Sequence, residues 1–212
     1  MNYKQAFLDL AVANNALKFG DFTLKSGRKS PYFFNSAAFS SGSALATLGE
    51  CYAKALITSR RPVSMLFGAA YKGIPLVTAT AIALANERDE AIPFGFNRKE
   101  AKDHGEGGQL VGPAPSGNLV IVDDLITAGT AIREVIELID RSQIDHLTVL
   151  IGLDRMEKGR NEQTAIAELE SMYSLKVISI ATLDDVMEYA AKTVGDAMHS
   201  RIAQYREQYA AS

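Results

Sequence analysis

Cysteine, tryptophan and net charge are scarce in this sequence of 212 residues, which has one cysteine, no tryptophan and a net charge of −3. The lone cysteine, Cys51, cannot form a disulfide within the chain and lies in an apolar helical stretch, so we interpret it as a packing residue. One cysteine and three histidines do not form a recognisable thiolate or imidazole metal site. A pI near 5.7 argues against a nucleic-acid-binding surface. We expect a cytoplasmic protein with no nucleic-acid partner.

Long apolar runs are missing as well. No stretch approaches the ~20 apolar residues that span a bilayer. The start of the chain, MNYKQAFLDLAV, lacks the basic region and cleavage site of a secretory signal, so we expect no membrane partner. The hydrophobic content of 47% and charged content of 22% are typical of a soluble globular protein, and the length favours one domain over residues 1–212.

Strands and helices alternate through the middle of the chain. Apolar runs predict strands over 64–67, 92–96, 119–122, 147–153 and 177–181, and helical periodicity predicts helices over about 74–86, 130–141 and 161–173. Strands separated by helices indicate βαβ units and a mostly parallel sheet flanked by helices on both faces. The predicted fold class is therefore α/β, with a doubly wound sheet.

The two ends of the chain lie outside this alternation. The N-terminal part predicts a helix over about 3–17 capped by Asn2, a β-hairpin over 19–36 and a helix over about 43–58. The last part is helical and polar enough to lie on the surface. We expect a hood made mainly of residues 1–40, a core of about 43–182 and C-terminal helices over 183–212.

The segment VIVDDLITAGT, residues 120–130, contains the strongest chemical signal. A buried strand is followed by Asp123 and Asp124, and the small-residue turn from Thr127 to Thr130 opens a helix. Open α/β sheets bind ligands beyond the carboxyl ends of their strands, and a helix start with free N–H groups binds phosphate. Carboxylates beside a phosphate cradle indicate a sugar phosphate as ligand. An ordinary strand–loop–helix junction is the alternative at this point.

The segment 96–112 is too long for a routine connection between a strand and its neighbour. Four basic residues precede its run of glycines: Arg98, Lys99, Lys102 and His104. A charged, glycine-flanked loop is typical of a lid that closes over a charged ligand, although a solvated surface loop is the alternative.

Three further features carry chemical groups. The turn GAAYKGIPL places Tyr71 and Lys72 after a predicted strand, where a lysine meets phosphate as a point charge. Arg155 also follows a strand and suits either a ligand carboxylate or a structural ion pair. In the hairpin, Phe33 and Phe34 pack against the core or against a planar ligand.

Together these motifs resemble those of the type I phosphoribosyltransferases, in particular the orotate-specific branch in its bacterial homodimeric form. The resemblance covers nearly the whole chain and includes the segments FTLKSGRKSPYFFN, GAAYKGIPL, RKEAKDHGEGG, VIVDDLITAGT and DRMEKG. The paired-aspartate motif is shared by the whole family, whereas the hood and lid segments are more specific. Ala69 stands where the resemblance leads us to expect proline, a difference that removes no chemical group.

The resemblance implies transfer of the 5-phosphoribosyl group from PRPP to orotate, giving orotidine 5′-phosphate and diphosphate in pyrimidine biosynthesis. The implied PRPP-binding residues are Lys25, Tyr71, Lys72, Arg98, Lys99, Lys102, His104, Asp123, Asp124, Leu125, Ile126, Thr127, Ala128, Gly129, Thr130 and Ala131. The implied orotate-binding residues are Phe33, Phe34, Thr127 and Arg155. The implied catalytic residues are Lys102, His104, Asp123 and Asp124.

The resemblance further implies a Mg²⁺ cofactor held mainly by PRPP oxygens, and a homodimer whose lid loops are shared across the subunits. It implies displacement with inversion through an oxocarbenium-like ribose, which needs cations on the diphosphate, carboxylates near the ribose and a lid that excludes water. Two alternatives stay open: a type I transferase for another nucleobase, and a PRPP-sensing regulatory protein. A phosphoacceptor domain is a third, but it would be shorter and would need no hood.

Overall fold

The computed structural model describes residues 2–24, 26–88, 91–102, 108–158 and 163–210. Its helices are α1 (Tyr3–Ala13), α2 (Gly42–Ser59), α3 (Gly73–Arg88), α4 (Thr130–Leu138), α5 (Ala165–Tyr173), α6 (Leu183–Thr193) and α7 (Asp196–Tyr209). Its strands are β1 (Leu17–Thr23), β2 (Lys29–Phe34), β3 (Met65–Gly68), β4 (Phe94–Lys102), β5 (Gly108–Val111), β6 (Gly117–Leu125), β7 (Ile144–Asp154) and β8 (Lys176–Thr182).

A six-stranded sheet forms the centre of the fold, in the order β5-β4-β3-β6-β7-β8. β4 and β5 pair antiparallel, and the other neighbours are parallel. From β3 the chain moves outward to β4 in one direction, and from β6 it moves to β7 and β8 in the other. β3 and β6 therefore flank the topological switch point, the place where open α/β sheets bind ligands.

Helices cover both faces of this sheet because its central strands are apolar on both faces. Val120 and Val122 belong to the core shared with α1, α2, α3, α6 and α7, whereas Leu119 and Ile121 belong to the core shared with α4 and α5. All four side chains are fully buried. A parallel strand buried on two faces is a continuous apolar run, which explains why sequence alone located it. The α/β, doubly wound class is confirmed.

The elements predicted over residues 1–58 are present, and the largest shift of a boundary is at the end of the first helix. The Asn2 side chain caps α1 by accepting a hydrogen bond from the Lys4 N–H. The helix ends at Ala13 rather than near residue 17, because Asn15 adopts a left-handed conformation and Leu17 already opens β1. β1 and β2 form a separate antiparallel hairpin.

The C-terminal helix α7 has a buried face, which its polar composition concealed. Ile202 and Tyr205 are almost completely buried, and the Tyr205 ring meets the Tyr32 ring of β2 edge-on at 5.8 Å. The two residues are spaced i, i+3 and therefore lie on one face of the helix. The end of the chain thus packs against the hairpin rather than only covering the surface.

The segment 96–112 is not the open loop that its composition predicted. β4 continues to Lys102, β5 begins at Gly108, and Phe96 pairs with Val111 across this ribbon. Antiparallel pairing satisfies the backbone hydrogen bonds of a long excursion, which an open loop would leave to water. Residues 103–107, including His104, lie outside the described residues, as do Lys25 and the side chain of Lys102.

Among the residues that the structure describes, no helix is long and apolar enough to cross a membrane.

Candidate active site

Asp123 and Asp124 lie at the carboxyl end of β6, beside the switch point. Their exposed fractions are 7% and 4%. Tyr52 of α2 donates a hydrogen bond of 2.9 Å to the carbonyl oxygen of Asp123 from a fully buried position, so α2 holds the end of the strand. Sequence analysis missed Tyr52, because a tyrosine within an apolar helix is indistinguishable from an ordinary core residue.

The Asp124 carboxylate accepts two hydrogen bonds on one oxygen. Lys72 Nζ lies 2.7 Å from Oδ2, and Ser36 Oγ lies 2.5 Å from the same atom. The Lys72 side chain is 52% exposed, whereas that of Asp124 is 6% exposed. The structure thus brings together the predicted Lys72 and Asp124, and adds Ser36 from the segment after the hairpin, which sequence analysis did not single out.

Burial and charge repulsion both act on the aspartate pair. Burial, and then the neighbouring Asp124 carboxylate, raise the pKa of Asp123 from 3.8 to about 7, although the Asp124 N–H and Lys72 favour the ionised form. Asp123 therefore titrates near neutral pH. Any ligand that donates hydrogen bonds or brings positive charge will favour its ionised form.

The turn after Asp124 leads to an open helix N-terminus. Gly129 precedes α4 with φ of +73° and makes no side-chain cap. A Cβ at this position would lie 2.9 Å from Leu169, so the close approach of α5 also demands glycine. Thr127, Ala128 and Thr130 are exposed. The first N–H groups of α4 therefore point to a solvent-open site that is suited to an anion.

The loop between β3 and α3 is held from two sides. A Cβ on Gly73 would lie 2.4 Å from the Val122 carbonyl oxygen, so this glycine permits close contact with β6. On the other side, the buried Asn97 side chain accepts a hydrogen bond of 2.8 Å from the Ala70 N–H. Asn97 was missed, since a polar residue beside a predicted strand carries no sign of the loop that it holds.

Two of the predicted lid cations lie within the described ribbon. Lys99 Nζ lies 5.9 Å from the centre of the Tyr71 ring, which is itself 64% exposed. Arg98 donates a long hydrogen bond of 3.5 Å to the Gly108 carbonyl. The structure therefore brings Lys99 next to the loop of Tyr71 and Lys72, and leaves Arg98 bound within its own ribbon.

Arg155 follows β7 and is held by the hood and the C-terminal helix. Its Nε donates to the Tyr32 hydroxyl at 3.3 Å, and its Nη2 lies 2.5 Å from Glu157 Oε1 and 3.4 Å from the Tyr205 hydroxyl. Burial is the main cause that raises the pKa of Tyr32, to about 12, so this phenol stays protonated at neutral pH. Of the two readings left open for Arg155, the structure contains the ion pair.

Phe33 and Phe34 point to opposite sides, as adjacent strand residues must. Phe33 is 39% exposed and stacks on Phe22 with ring centres 5.6 Å apart. Phe34 packs against Phe7 and Phe39 at 6.1 and 6.4 Å. Phe33 therefore offers an open ring, while Phe34 packs against the core.

No family model matches this chain. Known proteins, in contrast, are similar to it along nearly its whole length. The orotate phosphoribosyltransferase of Proteus mirabilis is 54% identical over 208 residues, which are 98% of this chain and 97% of that protein. The Escherichia coli protein of the same name is 53% identical over 208 residues, which are 98% of this chain and 98% of that protein. A crystal structure of orotate phosphoribosyltransferase from Francisella tularensis aligns with a TM-score of 0.84 at 36% identity, over 96% of this chain and 98% of that one.

Proposed function

The chain belongs to the orotate phosphoribosyltransferase family, and from that premise we infer that it is an enzyme of pyrimidine biosynthesis. It transfers the 5-phosphoribosyl group of PRPP to orotate and releases orotidine 5′-phosphate and diphosphate. The structural observation that best supports this function is the pairing of Lys72 with Asp124 at the switch point, beside the open N-terminus of α4. One sheet edge thus offers a cation, two carboxylates and an anion cradle.

We propose that PRPP lies across the switch point. The N–H groups from Leu125 to Ala131, with the hydroxyls of Thr127 and Thr130, bind the 5-phosphate. Asp123 and Asp124 accept hydrogen bonds from the ribose hydroxyls. The diphosphate is bound by Tyr71 and Lys72, by Lys25 of the hairpin, and by the lid cations. The lid cations are Arg98, Lys99, Lys102 and His104.

Lys72 is suited to this task because its environment is asymmetric. Its side chain is half exposed and has one ion-pair partner among the described residues, so the ammonium group can turn from Asp124 towards a diphosphate. The released Asp124 oxygen then accepts a ribose hydroxyl. Binding of PRPP thus replaces contacts inside the protein with contacts to the substrate.

The reaction needs no nucleophile from the protein. When the bond from the anomeric carbon to diphosphate breaks, positive charge develops on the ribose and negative charge on the leaving group. Ionised Asp123 and Asp124 stabilise the first, and Lys72 with Lys102 stabilises the second. A ring nitrogen of orotate, which gives up its proton to solvent, attacks the opposite face and inverts the configuration. The lid keeps water away from the reactive ribose.

Orotate differs from other pyrimidine bases by its carboxylate. We propose that the Phe33 ring stacks on the planar base, framed by Phe34, and that Thr127 and Arg155 complete recognition. The exposed face of Phe33 supports the first contact. For Arg155, Nη1 is a nitrogen that no described residue binds, which leaves a charged donor for a carboxylate.

Magnesium, the dimer and the compartment belong to the same proposal. The carboxylates of Asp123 and Asp124 are oxygen ligands of the kind that Mg²⁺ prefers, so these residues would help to hold a magnesium ion that PRPP brings with it. When bound, the ion neutralises charge on the diphosphate.

We propose a homodimer in which the lid reaches the partner's site. We also propose a cytoplasmic location, which the buried thiol of Cys51 suits.

A direct assay tests the function. Orotate absorbance is followed with the chain, PRPP and Mg²⁺ present, and with each omitted in turn. We expect a decrease that requires all three. Uracil and purine bases serve as controls, both in the assay and as ligands that shift the melting temperature in the presence of diphosphate. Consumption of another base without orotate would assign the chain to a different transferase, and no consumption at all would favour a sensor of PRPP.

A further inference from the structure

The Glu157 carboxylate accepts hydrogen bonds from three residues that lie far from one another in the sequence: Arg28, Arg155 and Tyr205. Arg155 Nη2 and the Tyr205 hydroxyl each lie 2.5 Å from Oε1, and Arg28 Nη1 lies 3.2 Å from Oε2. The Glu157 side chain is 16% exposed. These donors come from the end of β7, from α7 and from the hairpin turn. A carboxylate with three charged or hydroxyl donors in a half-buried position has a fixed orientation.

This carboxylate defines how the Arg155 guanidinium is oriented. Glu157 binds Nη2 and the Tyr32 hydroxyl binds Nε, so two of the three nitrogens are held, and with them the guanidinium plane. Tyr32 cannot shift easily, since its side chain is 1% exposed. No described residue accepts a hydrogen bond from Nη1. The guanidinium therefore presents one nitrogen in one direction.

The charges of the cluster are unequal. Two arginines, Arg28 and Arg155, share the single carboxylate of Glu157. Arg28 is further held by the Lys158 carbonyl oxygen at 3.2 Å and lies 5.1 Å from the centre of the Tyr209 ring. The nearby Asp154 carboxylate is engaged by the Met156 N–H at 2.7 Å. Within the trio of Arg28, Arg155 and Glu157, the positive charges outnumber the negative charges by one.

We propose that Glu157 is a positioning residue for the base site: it aims Arg155 Nη1 at the carboxylate of orotate, and Tyr205 of α7 holds Glu157 in turn. The proposal rests on the proposed function of the chain. It gives the C-terminal helix a part in base recognition, through the contact of Tyr205 with Glu157. Glu157 does not compete with orotate, because it binds a different nitrogen of the guanidinium.

Steady-state kinetics with both substrates tests the role of Glu157. Glu157→Gln keeps the size and removes the charge. We expect it to raise the KM for orotate roughly tenfold, similar to the loss when a residue that orients a metal ligand is replaced. The KM for PRPP is expected to stay within about twofold. Glu157→Asp, which keeps the charge, is expected to restore part of the orotate affinity. Tyr205→Phe removes only a hydroxyl and is expected to raise the KM for orotate about threefold.

Glu168→Gln is the control, because Glu168 of α5 forms an ion pair with Arg133 of α4, with an N–O distance of 2.9 Å, that does not involve the Arg155 cluster. It is expected to change neither KM. An unchanged or lower KM for orotate in Glu157→Gln, or an equal rise in both KM values, would overturn the positioning role. Should Glu157→Gln fail to fold, Tyr205→Phe decides alone: a rise in the KM for orotate without a rise in the KM for PRPP supports the positioning role, and any other result contradicts it. The unmodified chain is assayed first: no orotate turnover there refutes the proposed function itself, whereas turnover with an unaffected variant refutes only the role of Glu157.

Discussion

Two ion pairs lie at the carboxyl edge of the same sheet, and they differ in how much freedom the cation has. In the Lys72–Asp124 pair, the carboxylate is buried but the lysine side chain is 52% exposed. In the Arg155–Glu157 pair, both side chains are 16% exposed. Tyrosine hydroxyls hold the arginine as well, and no comparable second contact holds the Lys72 ammonium among the described residues.

The difference matches two chemical tasks. The diphosphate gains charge during the proposed reaction, and Lys72 must leave Asp124 to reach it when PRPP binds. The orotate carboxylate keeps its charge throughout, so its cation serves best when it is already oriented. A lysine on a flexible stem and an arginine in a fixed frame are the residue types that fit these two demands. The predictions below test this division, from the largest expected effect to the smallest.

The cations that contact the diphosphate are expected to affect kcat most strongly. Lys102→Ala should lower kcat by about 10²–10³, because the lid cation stabilises charge that exists mainly in the transition state. The KM for PRPP should change little. Steady-state kinetics measures both, and Lys54→Ala, which removes an exposed lysine paired with Glu87 at 3.6 Å, is the control that should have no effect. An unchanged kcat with a raised KM would show uniform binding by Lys102 and would contradict the division.

The diphosphate side is also expected to be shared between two subunits. A homodimer with Lys102→Ala and one with Asp123→Asn should each be nearly inactive. After subunit exchange, half of the dimers are mixed, and one of their two sites has neither lesion, so activity should recover to roughly a quarter of the unmodified level. Orotate consumption measures the recovery, with exchange confirmed separately. Activity no greater than that of the two parents would place lid and aspartates in the same subunit.

The arginine side is expected to affect binding of one substrate only. Arg155→Ala should raise the KM for orotate by about 10- to 100-fold, since a charge-assisted hydrogen bond contributes about 1.5–3 kcal/mol. The KM for PRPP should stay nearly constant. Steady-state kinetics with each substrate varied in turn measures the two KM values separately. If both KM values rise together, Arg155 serves the structure rather than the ligand.

The buried Asp123 carboxyl group should make the stability of the protein depend on pH. Because the pKa of Asp123 is raised from 3.8 to about 7 on folding, its contribution is fully present below about pH 4 and is lost as pH rises through about 7. Between about pH 6 and pH 8 the free energy of unfolding should fall by about 1 kcal/mol from this group. Urea unfolding of the unmodified chain and of Asp123→Asn measures the difference. Equal pH slopes for the two would contradict the raised pKa.

Much of the sheet was predictable because its strands are buried on both faces. All five predicted strands of the sheet are present, and only β5 was missed, since its four residues are partly exposed and lie in a charged, glycine-rich stretch. The position of Asp124 and Lys72 at one edge followed from the same reasoning. Parallel strands end at a common edge, so residues that follow them are brought together without knowledge of any contact.

The contacts that orient these groups could not be predicted. Ser36 reaches Asp124 across 88 positions, and Tyr205 reaches Glu157 across 48. Periodicity reports which residues are buried and not which residues they meet, so Tyr52 and Tyr32 look like any other core residue. The sequence by itself determined the order of strands and helices along the chain and the residue types at the edge of the sheet. Only the tertiary structure decided that one cation is free to turn and the other is fixed, because that depends on hydrogen-bond partners from remote parts of the chain.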